Sequence, residues 1–145
     1  MTSEAMPLGI VVERRETDHP WETHIWTPVA VAPGAPENPQ WKEVARGDGW
    51  VQFHADTLPL EIFHDETEDY RYNLVNDPPS VYVVLREDDE SDSGLAPFKL
   101  TVSPSEAQAY LDADEHILEP VPMPDLVQSW LAAFKASDRF MRIMQ

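Results

Sequence analysis

An α+β domain is what this sequence predicts, with a mostly antiparallel, curled sheet or barrel of six to seven strands and two C-terminal helices. Three observations lead there. Apolar and polar side chains alternate through much of the first two-thirds of the chain, as half-buried strands require. Fourteen prolines against five glycines cut the chain into short segments with rigid corners, a density that no helical bundle tolerates. The last third carries two helix starts, each with a proline at its beginning. A length of 145 residues suits a single domain spanning 1–145. Folding at that size buries roughly two-thirds of the extended-chain surface, enough for a core without disulfides or structural metal.

The elements follow in order. Leu8 to Arg15 opens apolar and closes charged, as a strand leaving a core does. Thr23 to Ala32 alternates, with Ile25, Thr27, Val29 and Val31 on one face and His24, Trp26, Pro28 and Ala30 on the other. Pro28 has no ladder donor, so this strand is an edge or contains a bulge. PGAPENP (33–39) is a loop, Trp41 to Arg46 a short strand, and Gly47-Asp48-Gly49 a hairpin turn. Trp50 to Ala55 alternates again, and Leu58 to Phe63 forms a strand after a break.

Asp65 to Asn76 fits two patterns. Tyr70, Tyr72 and Leu74 alternate, whereas Thr67, Tyr70, Arg71 and Leu74 share one helical face. Four acids at its start favour a short helix, and Asn76-Asp77-Pro78-Pro79 ends it. Ser80 to Arg86 is the clearest strand. The loop EDDESDSG (87–94), held open by like charges, links it to a hairpin partner at Phe98 to Val102. Ser103-Pro104-Ser105-Glu106 is a capping box. The Ser103 oxygen takes the Glu106 amide proton, the Glu106 carboxylate reaches back to Ser103, and the helix runs to about Asp112. His116 to Leu118 is extended and EPVPMP (119–124) is a stiff connector. A second helix starts at Pro124. Its stripe of Leu126, Val127, Trp130, Leu131 and Phe134 predicts docking on the sheet.

Composition excludes several functions. With no cysteine there is no disulfide framework, thiolate metal site or cysteine nucleophile. The longest apolar run, Ser80 to Leu85, is far shorter than the ~20 residues of a membrane span. MTSEAMPLGIVV lacks the basic start and cleavage site of a secretory leader, so a cytoplasmic location is expected. A net charge of −17, from 27 acids and 10 bases, argues against nucleic-acid and membrane partners, which need clustered Lys and Arg. Glycine-rich phosphate loops, nucleophile elbows and HExxH helices are all missing. With so many acids, close carboxylate pairs arise without purpose, so no catalytic residue is assigned and no cofactor is expected.

Candidates for binding remain. Trp21, Trp26, Trp41 and Trp50 cluster in sequence, and Trp21, Trp26 and Trp50 are candidates to line a partner-binding groove. The excess charge centres on 61–69 and 87–92. Glu61, Asp65, Glu66, Glu68 and Asp69, with Arg71 among them, form the face expected to meet a basic partner. Ordinary ion pairing is the simpler reading for Arg14, Arg15, Arg71 and Arg86. No metal site is assigned. His54 and His64 are weak candidates that would approach each other if 50–55 and 58–64 were adjacent strands, but their spacing matches no ligand motif. His54 shares a strand face with Trp50 and Gln52, expected to be the solvent side.

The segments PLGIVVERR (7–15), HPW (19–21), LPLEIFHDETEDYRYNL (58–74), PPSVYVVLR (78–86), VSPSEAQAYLD (102–112) and VPMP (121–124) resemble a proteobacterial family, domain of unknown function 3305. The resemblance covers nearly the whole chain. It implies a setting beside molybdenum-dependent formate dehydrogenase subunits, an iron–sulfur protein and an assembly chaperone, and it supplies no catalytic residues. The leading expectation is therefore a non-catalytic accessory or binding protein that assists maturation or regulation of such an enzyme. Its partner would be a basic protein surface or an apo-enzyme subunit. The alternative is a small-ligand or metal-binding β-barrel, possibly an enzyme, with a pocket lined by Trp50, His54 and His64.

Overall fold

The computed structural model describes residues 3–37, 39–113 and 116–144, with side chains through residue 137. Seven strands form one mixed sheet: β1 (Ser3–Glu16), β2 (His24–Pro33), β3 (Lys42–Gly47), β4 (Trp50–Phe63), β5 (Ser80–Glu87), β6 (Leu95–Thr101) and β7 (Ile117–Pro122). Three helices accompany them, α1 (Thr67–Leu74) after a 3-10 turn at His64–Glu66, α2 (Pro104–Asp112) and α3 (Asp125–Met144). The strand order is β2-β1-β4-β6-β5-β7, with β3 also on β4. All ladders are antiparallel except β4–β6, a parallel contact at Leu60↔Leu100. The sheet curls until β2 and β7 approach, nearly closing a barrel.

Both edges at that seam carry prolines, Pro28 and Pro33 in β2 and Pro120 and Pro122 in β7. The stretch 119–124 expected as a connector is thus mostly strand. Pro120 and Pro122 lie two residues apart opposite Tyr82 and Ser80, so both missing donors face the same way. A strand can carry such prolines when its other edge needs no ladder.

Leu8, Ile10 and Val12 of β1 are buried side by side with Leu60, Ile62, Val81, Val83 and Leu100. The supposed break in the 50–63 stretch is a β-bulge in one continuous strand. Ile10 pairs with Asp56 and Val11 with His54, so Ala55 is an extra residue. It shifts the inward phase from Val51 and Phe53 to Leu58, Leu60 and Ile62. A second bulge does the same in β2, where Val11 pairs with Ala30 and Val12 with Pro28. The alternation expected across Thr23–Ala32 therefore does not persist: Pro28 and Val31 are buried while Ile25 is exposed. The hairpin at Gly47–Gly49 forms as expected, with Gly49 at φ 80°, a conformation suited to glycine.

The 65–76 stretch is helical at its centre, but its buried face is Thr67, Tyr70 and Asn73, while Arg71 points to solvent. In α2 the Ser103 oxygen accepts the Glu106 amide at 3.0 Å, as predicted. The reciprocal half of the box is replaced. Thr101 Oγ1 accepts the Ser103 amide at 3.0 Å, and Glu106 pairs with Lys99 at 3.4 Å. From α3, Val127, Leu131 and Phe134 enter the core, whereas Leu126, expected in the stripe, is 59% exposed. The helices gather at the end of the barrel where β1 begins and β4 ends. Trp130 donates to Glu4 at 3.1 Å, and Phe134 stacks on His64 at 4.0 Å. Among the described residues, no helix covers the opposite end.

Candidate functional site

The inward-facing series of β1 continues past Val12 to Arg14, at the helix-free end. Its guanidinium lies over Trp26 of β2 at 5.7 Å and Phe53 of β4 at 5.5 Å from the ring centroids. Trp41 meets Trp26 edge-on, with centroids 5.8 Å apart and planes at 88°, and Phe53 at 6.3 Å. Edge-to-face contacts of this kind hold rings at set angles. Gln40 and Trp41 both adopt left-handed backbone, φ 51° and 58°. Non-glycine residues pay roughly 1–2 kcal/mol each for that conformation, so the turn presenting Trp41 is strained. The residues 90–93 between β5 and β6 form the far wall of a cleft of about 340 Å³.

Trp26 also lines a second, more open groove of about 530 Å³. Its apolar side chains include Ile25, Leu95 and Ile117, its acids Glu22, Glu87 and Asp89. Ile25 and Ile117 are exposed. The acidic loop between β5 and β6 thus contributes to both hollows, with Trp26 shared between them.

The sequence candidates divide. Trp26 sits at this end, whereas Trp21 is 86% exposed and packs only on His19 among the described rings, at 5.4 Å. Trp50 covers Gly47 in the β3–β4 hairpin; any Cβ on Gly47 would come within 2.4 Å of its ring. Glu61 and Asp65 are exposed at the helix end. Glu66 accepts the Tyr70 hydroxyl at 2.8 Å, and Glu68 pairs with Arg71 at 2.5 Å. Asp69 links α1 to α2. It accepts from the hydroxyls of Ser103 and Ser105 and from the Ser105 amide. Much of the acidic stretch is therefore engaged in holding helices together.

Burial pushes the Asp69 carboxyl up, but the Ser103 and Ser105 hydroxyls and the Ser105 amide outweigh it and hold the group below its ordinary 3.8. Its contribution to stability is complete above that value and is lost as pH falls through the lower folded value. Asp69→Asn should cost about 1–2 kcal/mol at pH 7. It should also flatten the acid limb of stability against pH, measured by urea unfolding from pH 7 to 2. An unchanged acid limb would exclude Asp69 as a contributor.

His54 lies in the first half of β4 and His64 just beyond its end, roughly 30 Å of extended chain apart, so the adjacent-strand arrangement does not occur. His54 is buried rather than on the solvent side. Its Nε2 meets Thr57 Oγ1 at 2.8 Å, and that hydroxyl donates to the Pro36 carbonyl at 2.7 Å. Among the described residues no group of three or more His, Asp or Glu is placed to hold a metal. Among them, too, no helix is long and apolar enough to cross a membrane.

Arg14 and Phe53 are the residues that sequence reasoning missed. The signal for Arg14 was present, because it continues the inward series 8, 10, 12. Its charge suggested a strand leaving the core instead. No curated protein and no solved structure matches the chain. A family model does match, over residues 7–140, from the first strand through most of α3, so that both hollows around Trp26 lie within it. The chain belongs to that family, the proteins of unknown function DUF3305.

Proposed function

We propose that this chain is a non-catalytic binding domain that docks a basic segment of a protein partner in the open groove beside Trp26. The observation that carries the reading is an apolar floor, Ile25, Leu95 and Ile117, flanked by Glu22, Glu87 and Asp89 on a chain of net charge −17. Apolar contact supplies affinity, while the carboxylates steer and select a cationic partner. The site lies at the opposite end from the Glu61–Asp69 face, where Glu66, Glu68 and Asp69 are already engaged with neighbours. In the setting that the family resemblance implies, the partner is a subunit of a molybdenum-dependent formate-dehydrogenase-type enzyme, and the domain assists its maturation or regulation.

Co-purification of the tagged chain with that enzyme's apo-subunits is the test. Capture should weaken as salt rises from 0.05 to 0.5 M. It should fall about tenfold or more in Glu87→Lys/Asp89→Lys, and change little in Glu61→Lys, because charge reversal acts where the partner sits. Equal capture by both variants would remove the groove from the account. Unchanged formate dehydrogenase activity and cofactor loading after deletion would remove the enzyme. A second reading, a small-ligand site, is favoured by the more enclosed cleft that Trp26 also lines.

A further inference from the structure

Arg14 is set apart by its place: Arg86 also lies over a ring, Phe98 at 5.1 Å, but it is exposed, whereas Arg14 is half-buried in a cleft. Acids outnumber bases 27 to 10, and Arg15, Arg46, Arg71 and Lys99 each pair with a carboxylate. The Arg14 side chain, half-buried in the lining of the 340 Å³ cleft, makes no hydrogen bond or salt bridge among the described residues, although Glu43 is near enough to feel its charge. Its contacts are the faces of Trp26 and Phe53, which leave the N–H edge as a fixed set of donors. Trp41, presented by the strained turn at residues 40 and 41, offers an aromatic wall. Glu90 and Asp92, with the hydroxyls of Ser91 and Ser93, supply acceptors across the cleft. The volume lies in the lower part of the range for small-molecule sites, about 300–1,000 Å³.

We propose that this cleft binds a flat heterocycle with a guanine-type edge, stacked on Trp41 and hydrogen-bonded to Arg14 at one side and to Glu90 or Asp92 at the other. The chemistry selects that edge. A guanidinium donates two parallel bonds to adjacent acceptors, which guanine presents as O6 and N7. Carboxylates accept, and guanine carries N–H donors at N1 and at its exocyclic amine. Adenine places an amino donor beside N7, so it faces Arg14 with a like group. The acidic mouth repels polyphosphates, which favours a base or nucleoside over a nucleoside triphosphate. The proposal stands independently of the partner-docking groove.

The test follows the tryptophan indole N–H resonances of the full-length chain during titration with guanosine, adenosine or an arginine-containing peptide. Guanosine should shift the Trp26 and Trp41 signals saturably and leave Trp50 and Trp130 in place. Adenosine should bind about tenfold or more weakly. Arg14→Gln should abolish the guanosine shifts. Glu90→Gln/Asp92→Asn, confined to exposed loop side chains, should weaken them about tenfold and keeps the test valid if the Arg14 variant does not fold. Equal response to both nucleosides, no response to guanosine, or undiminished binding by the loop double variant would overturn the proposal. So would response to the peptide alone.

Discussion

Replacing Asn73 by leucine should lower the stability of the domain by about 3–4 kcal/mol, a large share of the roughly 5–15 kcal/mol typical of a folded domain. Asn73 is fully buried in α1, and its amide makes three hydrogen bonds, two to the start of β5 and one to the residue after β6. Nδ2 donates to the carbonyls of Ser80 at 2.7 Å and Val102 at 2.8 Å, and Oδ1 accepts the Ser80 amide at 2.8 Å. Leucine of similar size would leave those backbone groups without partners where water is largely excluded, and a stranded buried polar group costs more than its bond contributed. In urea unfolding the midpoint should fall while the slope stays constant. Asn73→Asp sharpens the test. The carboxylate would face two carbonyl oxygens with nothing to donate, so stability should be lost at neutral pH. It should partly return as acid protonates the side chain, opposite in sign to the dependence at Asp69. A loss below 1 kcal/mol for both variants would show that the strands hold register without this amide.

Gly9→Ala is the second large effect, expected to cost about 2 kcal/mol. Gly9 lies mid-strand between β2 and β4, on the face away from the core, where the loop after β2 crosses the sheet. A Cβ there would stand 2.5 Å from the Ala35 Cβ and 2.8 Å from His54 Nε2. Neither neighbour moves freely. Ala35 belongs to the loop that Thr57 holds through the Pro36 carbonyl, and the His54 ring is engaged by Thr57. Glycine in a strand interior often marks such a close backbone approach. Adding Ala35→Gly to Gly9→Ala removes the shorter contact and should recover part of the loss. Thermal unfolding of the two single variants and the double would show non-additivity, and strict additivity would mean that loop and strand do not meet as described.

Several elements were legible because short-range chemistry decides them. Ser103-Pro104-Ser105-Glu106 starts a helix wherever it stands, and the observed α2 begins and ends where predicted. Asp48-Gly49 turns a hairpin because Gly49 takes the positive φ that the turn needs. The acids ahead of Tyr70 tipped an ambiguous stretch to helix correctly. Of its expected face, Thr67 and Tyr70 are buried and Leu74 packs partly on the core, whereas Arg71 is exposed and Asn73, not expected there, is buried. Nothing local says that the Ser80 and Val102 carbonyls and the Ser80 amide converge on Asn73.

The candidate site was legible only in parts. Trp26 and Trp41 stood out as aromatics, and the 87–92 run stood out as charge. Their meeting across the barrel mouth depends on which strands neighbour one another. The histidine pairing failed for the same reason: one bulge at Ala55 joins two apparent strands into β4 and separates His54 from His64 along its length. β7 was read only at its start, 116–118, and its remainder as connector, because prolines count against a strand unless its outer edge is known to be unpaired.

By itself the sequence determined the class, most of the strands and helices, the capped start of α2 and the acidic excess, since these rest on contacts within a few residues. Only the tertiary structure decided the bulges that reset each inward phase, the polar clasp at Asn73 and the mouth where Arg14 meets Trp26 and Phe53. Those depend on partners 7 to 46 positions away, and curling one sheet nearly into a barrel is what brings them together.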